Sequence, residues 1–313
     1  MSEGSPWMGH VKLAANGAKP ASGEVVLSAR GLVKRYGAFA ALDGLDLDVR
    51  RGEIFGVIGP NGAGKTTTLK ILSGLLTRTS GEARVLGFDV SDPAMKARLG
   101  YLPEESPLYD DMTPRTYLAL FAELFAVPKK EAKARIESLL DDLALDHRDR
   151  KLGDMSKGMR RKVAIARSLV NDPDLLIYDE PASGLDPVAS AHVLEIVQRV
   201  RDRGKTVIFS AHNLYHVERI CDRIVLLHKG KPALSGTMKE IRARVGGTEY
   251  AVRLSVEVPG STPAEDGGYE ARVKSFDEVR PLEEAARAAG GRLLDVKNVD
   301  VPLEEIFLRT TRG

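Results

Sequence analysis

Nine consecutive residues, Gly59-Pro60-Asn61-Gly62-Ala63-Gly64-Lys65-Thr66-Thr67, restrict what this chain can fold into more than any other feature. They follow a compact apolar run at 53–58. They precede residues 66–76, whose leucines at 69, 72, 75 and 76 have helix-compatible spacing and which should stop near a turn at Ser80-Gly81. A strand, a glycine-rich turn and a helix in immediate succession predict a loop whose backbone amides turn inward around phosphate oxygens, with the positive end of the helix aimed at the same place. Lys65 is then within reach of terminal phosphates, and the Thr66 hydroxyl becomes a magnesium ligand. Gly59, Asn61, Gly62, Ala63, Gly64 and Thr67 complete the cradle. A glycine turn with a stray lysine would not need every fixed position filled in this context.

A second signal lies downstream. Leu175-Leu176-Ile177-Tyr178-Asp179-Glu180 is an apolar strand ending in two carboxylates, which directs charge to the edge of a parallel sheet where ligands of α/β folds bind. An Asp-Glu pair alone is an ordinary solvated strand end. Beside a phosphate-cradling loop, Asp179 is read as a magnesium ligand and Glu180 as the group that polarises an attacking water.

The remaining pattern supplies an organisation. Residues 1–24 are rich in Gly, Ala, Ser and Pro without the continuous apolar stretch of a secretory signal, and are read as a disordered extension. Short β-rich runs at 25–29 and 45–49 come before the 53–58 strand. Residues 113–145 carry Leu, Ala, Phe, Glu and Lys at helical spacing with a break at Pro128, which marks an inserted helical subdomain at about 102–170. Buried-strand patterns return at 174–178 and 206–210, separated by a helical pattern at 189–203. Beyond residue 238 the pattern breaks at Gly246-Gly247 and across the turn-like 259–268, so 239–313 is read as a small α+β accessory domain following a main domain at 25–238.

Bulk properties exclude more than they assign. With 46 Lys plus Arg against 44 Asp plus Glu, the net charge of +2 gives no whole-chain argument for nucleic acid or an anionic membrane. The one cysteine, Cys221, cannot form an intramolecular disulfide and fits core packing in a reducing cytosol. No run of about 18 apolar residues is present, so a membrane role requires a partner that supplies the spanning segments.

Taken in order, the phosphate loop, Met155-Ser156-Lys157-Gly158-Met159, Asp179-Glu180, Ser183-Gly184-Leu185-Asp186 and His212 resemble the nucleotide-binding subunit of ATP-binding cassette transporters, over roughly residues 25–238. The resemblance implies an α/β P-loop NTPase core (RecA-like) with an antiparallel β subdomain, an inserted α-helical subdomain and the small C-terminal α+β domain. It also implies ATP and Mg2+ as ligands. Tyr36 corresponds to the aromatic that stacks on adenine. Ser156 and Gly158 correspond to the signature loop that contacts the γ-phosphate of ATP held by an opposing subunit, Asp186 to the residue coupling the two sites, and His212 to the γ-phosphate contact that keeps water and Glu180 in register. The implied partners are a second nucleotide-binding subunit, for which the complete motifs favour a homodimer over the open alternative of a heterodimer, and an integral membrane permease that holds the chain at the cytoplasmic face.

Three positions depart from the commonest family pattern. Glu104, in Tyr101-Leu102-Pro103-Glu104-Glu105, matches a glutamine that touches magnesium, and a carboxylate can ligate the ion as well as an amide. Lys157 and Met159 replace a glycine and a glutamine of the signature, and Ser-Lys-Gly-Met is similar to an export-branch variant. The ending Pro302-Leu303-Glu304-Glu305-Ile306-Phe307-Leu308-Arg309 is similar to tails of that branch, but reads first as a capping amphipathic helix. The rival is a soluble cassette ATPase acting on ribosomes or nucleic acid. Such relatives carry two cassettes or a long coiled-coil insertion, and this sequence has neither, nor a basic tract with interleaved aromatics. Arg160-Arg161-Lys162 is read as a solvated helix face and Asp141-Asp142 as a surface acidic pair.

Overall fold

The computed structural model describes residues 23–245, 248–264 and 267–311. It divides between Ala233 and Leu234 into two compact units. The extension read at 1–24 lies outside the described residues except for Gly23 and Glu24, and Glu24 is anchored, accepting hydrogen bonds from the Arg51 side chain at 2.7 and 2.9 Å.

The first unit opens with β1 (Val25–Tyr36) and β2 (Phe39–Arg50), an antiparallel hairpin in which Tyr36 pairs with Phe39 across a Gly37-Ala38 turn. Both strands run well beyond the expected 25–29 and 45–49. Register shifts between Ala29 and Lys34 interrupt the alternation that would otherwise mark them as continuous. Next come β3 (Ile54–Ile58) and α1 (Lys65–Leu72). The helix ends short of residue 76 because Ser73 caps it, and Leu75 stands exposed. Ser80-Gly81, read as a turn, instead opens β4 (Ser80–Val85), whose Ala83 and Val85 face the core; β5 (Phe88–Asp89) pairs with it. The four strands form a sheet in the order β2-β1-β4-β5.

The chain then enters β6 (Leu99–Leu102) and a helical segment of α2 (Pro114–Leu124), α3 (Lys129–Asp142) and α4 (Lys157–Leu169). Thr113 caps α2, its hydroxyl accepting from the Thr116 amide, with Pro114 at the first helical position. Pro128 stands at the start of α3, where its missing N–H costs nothing. The Asp141-Asp142 pair does more than face solvent. Asp141 is bonded by Arg148, and Asp142 takes two 2.7 Å hydrogen bonds from Arg203, tying α3 to the residue that ends the helix at 187–202.

The last part of the unit is β7 (Leu175–Tyr178), α5 (Pro187–Asp202), β8 (Thr206–Ala211), α6 (Leu214–Ile220), β9 (Arg223–His228) and the start of β10 (Lys231–Gly236), the strand within which the boundary falls. A six-stranded sheet has the order β10-β9-β3-β8-β7-β6, and β3 lies at its centre, parallel to both β8 and β9. Every residue of β3, β7 and β8 is buried, as strands covered on both faces require. One core joins the two sheets through α1, with Leu27, Leu45, Phe55, Val57, Leu69 and Ile71 among its members. Each such side chain contributes roughly 1.5–3 kcal/mol.

The second unit holds α7 (Met238–Val245), β11 (Thr248–Leu254), β12 (Thr262–Pro263), β13 (Tyr269–Val273), α8 (Val279–Ala288), β14 (Leu293–Asp300) and α9 (Leu303–Thr311). Its antiparallel sheet runs β12-β13-β11-β14, with Val252, Leu254, Val279 and Ala286 in its core. In α9, Leu303 and Ile306 are buried, an inward stripe on a helix otherwise rich in charge.

The register of α4 against the large sheet depends on Gly100 in β6. A Cβ there would meet the Ser168 carbonyl at 2.3 Å and Leu176 Cδ2 at 2.5 Å. Gly100→Ala should therefore destabilise the first unit by about 1–3 kcal/mol. Urea unfolding followed by circular dichroism checks this, and an unchanged midpoint would mean that α4 does not sit that close.

Candidate functional site

The topology delivers chemistry to one edge. Residues that follow β3, β6, β7 and β8, all mutually parallel, emerge at the carboxyl ends of their strands and surround a cleft of about 730 Å³. The loop after β3 turns at Gly59, where an added Cβ would lie 2.4 Å from the Leu227 carbonyl of β9. Gly64 caps α1 with φ +104, pressed against the Ala41 carbonyl. Only glycine fits either place, and the first turn of α1, free of acidic residues, is left facing the cleft with its unpaired amides. Asn61, Gly62, Ala63, Thr66 and Thr67 line that wall.

Lys65 is buried, and its ammonium donates to the Gly59 carbonyl at 2.9 Å while lying 3.3 Å from Glu180 Oε1. Glu180 is the first residue but one after β7. It is buried, its other oxygen is in hydrogen-bonding contact with His212 Nδ1, and its φ of +45° puts a non-glycine residue in the left-handed region. That conformation costs of order 1–3 kcal/mol and persists only where neighbours impose it. Ser210 is one such neighbour. Its Oγ accepts from the Glu180 amide at 2.9 Å and donates to Asp179 Oδ1 at 2.6 Å, so one hydroxyl fixes both carboxylate-bearing residues. Asp179 is almost fully buried, and its amide donates to the Leu102 carbonyl of β6. Beside it, burial and then the Asp179 charge push the Tyr101 phenol up to about 12, leaving a neutral hydroxyl.

At the outer lip the β1–β2 hairpin presents Tyr36 and Phe39, both exposed, with the Lys34 ammonium 4.9 Å from the Tyr36 ring centroid. Glu104, Ser183 and His212 line the same cleft. Thus Tyr36, Asn61 to Thr67, Glu104, Glu180 and His212 share one cavity, with Gly59 and Asp179 directly behind it. The oxygen donors near it, the Thr66 hydroxyl and the Asp179 and Glu104 carboxylates, are hard ligands of the kind magnesium takes alongside phosphate oxygens.

Besides Gly59 and Asp179, three predicted residues do not line that cavity: Ser156, Gly158 and Asp186. Ser156 caps α4, its Oγ accepting from the Met159 amide at 3.3 Å; Asp186 caps α5, accepting from the Ala189 amide at 2.9 Å. Gly158 lies against the same Ala189, and Lys157 Nζ reaches Gly184. These residues form a second cluster where α4 and α5 begin.

The reading of Arg160-Arg161-Lys162 as a solvated face fails at its middle residue. Arg161 is buried, and its guanidinium is spent on backbone carbonyls of the loops after β6 and β7. Burial pulls its pKa down to about 10, which still leaves it charged at neutral pH. The signal in the sequence was its position: Arg161 shares a helical stripe with Ala164, Ile165 and Ser168, all buried. Ser210 also escaped notice, as a polar residue closing the apolar run 207–209.

Comparison with known proteins agrees with this geometry. A family model described as ABC transporter matches residues 42–183. An uncharacterised ABC transporter ATP-binding protein of Synechocystis sp. is 36% identical over 87% of this chain and 78% of its own length. The Nod factor export ATP-binding protein I of Burkholderia orbicola is 34% identical over 90% and 95%. Among solved structures, an ATP-binding subunit of an ABC transporter aligns with a TM-score of 0.65 at 34% identity, covering 71% of this chain and 93% of that one. The chain belongs to the ATP-binding, ATP-hydrolysing subunits of ABC transporters.

Proposed function

We propose that two copies of this chain close on ATP to drive export through a separate membrane permease, with hydrolysis at Glu180 reopening them. The observation that carries the hydrolytic part is the placement of the buried Glu180 carboxylate between Lys65 and His212 at the edge of the phosphate cradle. In this reading Tyr36 stacks on adenine while the amides of 61–66 and Lys65 hold the phosphates. Thr66, Asp179 and Glu104 would hold magnesium, which when bound would neutralise charge on the phosphates. A phosphate oxygen takes over the Lys65 ammonium and frees Glu180 to orient the water that attacks the γ-phosphorus in line with the departing ADP oxygen. His212 keeps Glu180 turned toward that water.

The second cluster supports the dimer. Ser156 and Gly158 lie outside the cleft of their own chain, at the N-terminus of α4, where unpaired amides suit an anion brought by another copy. Asp186 caps α5 beside them and would relay closure between sites. The α/β part ending near residue 238 is the motor, and the unit after it is an accessory domain. Among the described residues no helix is long and apolar enough to cross a membrane, so this reading holds the chain at the cytoplasmic face through its permease. Similarity to a protein named for Nod factor export, together with Glu104, the Ser-Lys-Gly-Met run and the tail, favours export.

Phosphate release and nucleotide binding test the roles. Glu180→Gln should lower turnover by roughly two orders of magnitude or more while retaining ATP binding, and should sediment as an ATP-loaded dimer. Near-normal turnover would remove Glu180 from the mechanism. Lys65→Ala should weaken ATP binding itself by about tenfold or more, since it removes charge-assisted contacts; unchanged affinity in a fluorescent-nucleotide titration would count against its phosphate role.

A further inference from the structure

We infer that Arg161 is a positioning residue for hydrolysis: from the helix that Ser156 caps, its guanidinium clamps together the loop carrying Glu104 and the loop carrying Glu180. The inference rests on the reading of Glu180 given above.

Nε donates to the Pro181 carbonyl at 2.7 Å, and Nη2 to the carbonyls of Glu180 at 2.9 Å and Asp179 at 3.2 Å. Nη1 donates to the carbonyls of Pro103 and Glu104, both at 2.9 Å, with Ser106 Oγ at 3.5 Å. No carboxylate is among these acceptors. Arg30, Arg78 and Arg203, which are more exposed, each take a bidentate carboxylate instead. A buried cation without a bonded counter-ion carries a desolvation cost, which Arg161 offsets by satisfying five backbone carbonyls. What those acceptors share is their place, in the two loops that carry Glu104 and Glu180. A planar fork with five donors can hold two separate loops in one fixed relation, which neither lysine nor a hydrophobic residue can do.

The clamp acts on the strained residue. The Glu180 amide is held by Ser210 and its carbonyl by Arg161, so the two peptide groups on either side of a φ of +45° are both fixed. Without Arg161 that backbone is free to relax to an ordinary conformation, and the carboxylate leaves its place between Lys65 and His212. The same guanidinium holds the Glu104 carbonyl, so the proposed metal ligand and the water-orienting carboxylate keep one relative position. Arg161 lies just over one helical turn beyond Ser156. A phosphate that moves the start of α4 thereby moves both loops.

The test is ATP hydrolysis by the full chain in wild type, Arg161→Gln, Arg161→Lys, Glu180→Gln and the Arg161→Gln/Glu180→Gln double variant. Arg161→Gln should lower kcat about 10- to 100-fold, as misplacement by about an ångström does, with KM for ATP within about twofold of wild type. On the Glu180→Gln background the same substitution should cost less than about twofold, because its target is already gone. Arg161→Lys keeps the buried charge yet reaches only one loop. It should also lose about tenfold in kcat, and it carries the test if the glutamine protein melts below the assay temperature. Unchanged kcat in the folded variants, a rise in KM alone, or an equal loss in both Glu180 backgrounds would overturn the inference. Near-normal turnover of Glu180→Gln by itself would instead bring down the reading of Glu180 on which the inference stands.

Discussion

The contact between Lys65 and Glu180 is the point to which the rest of the structure answers. Bringing an ammonium and a carboxylate together at a nearly dry sheet edge needs two chain segments separated by more than a hundred residues to end side by side. It also needs each to be held against the tendency of a buried charge to find water. The parallel sheet supplies the first requirement. β3 lies at its centre, β8 and β7 follow outward in order, and their carboxyl ends place Lys65, His212 and Glu180 within reach of one another. Ser210 and Arg161 supply the second by holding the Glu180 peptide on both sides.

The arrangement also explains why the motif residues fall into two groups rather than one. The cleft group has a lysine, carboxylates and an aromatic lip. The α4–α5 group has helix starts, a capping serine, and a glycine against Ala189. In the proposed reading neither is a complete phosphate site, and each offers what the other lacks: one a cradle with a carboxylate to orient water, the other an open helix N-terminus. Two copies related by a two-fold axis would join unlike groups twice and leave no group unused. On the role proposed for Arg161, which runs between the groups within one chain, the spacing of the α4 helix from the sheet, set at Gly100, is part of the chemistry.

Much of this was legible from residues alone because the informative positions obey local rules. The loop from Gly59 to Thr67 needs a strand before it and a helix after it, and both are written into adjacent residues; Asp179 and Glu180 end an uninterrupted apolar strand. The long hairpin was not legible, since its register shifts erase alternation, and neither was β4, which begins with the turn-like Ser80-Gly81. Arg161 failed for another reason. A run of three basic residues near a helix start looks the same whether it faces water or a pair of carbonyl-rich loops, and only the tertiary placement of those loops decides. Ser210 is hidden likewise, because one hydroxyl at a strand end carries no mark of the two residues it bonds.

The central claim, that each hydrolytic site is divided between two copies, is tested most directly by mixing two inactive proteins. Lys65→Ala lacks a working cradle. Ser156→Asp keeps the α4 cap but sets a negative charge toward the phosphate. In an equal mixture half of the dimers pair one of each and contain one wholly intact site, so the account predicts recovery of up to about a quarter of wild-type ATP hydrolysis from two proteins that have almost none. A mixture as inactive as its components, with mixed dimers shown to be present, would contradict it.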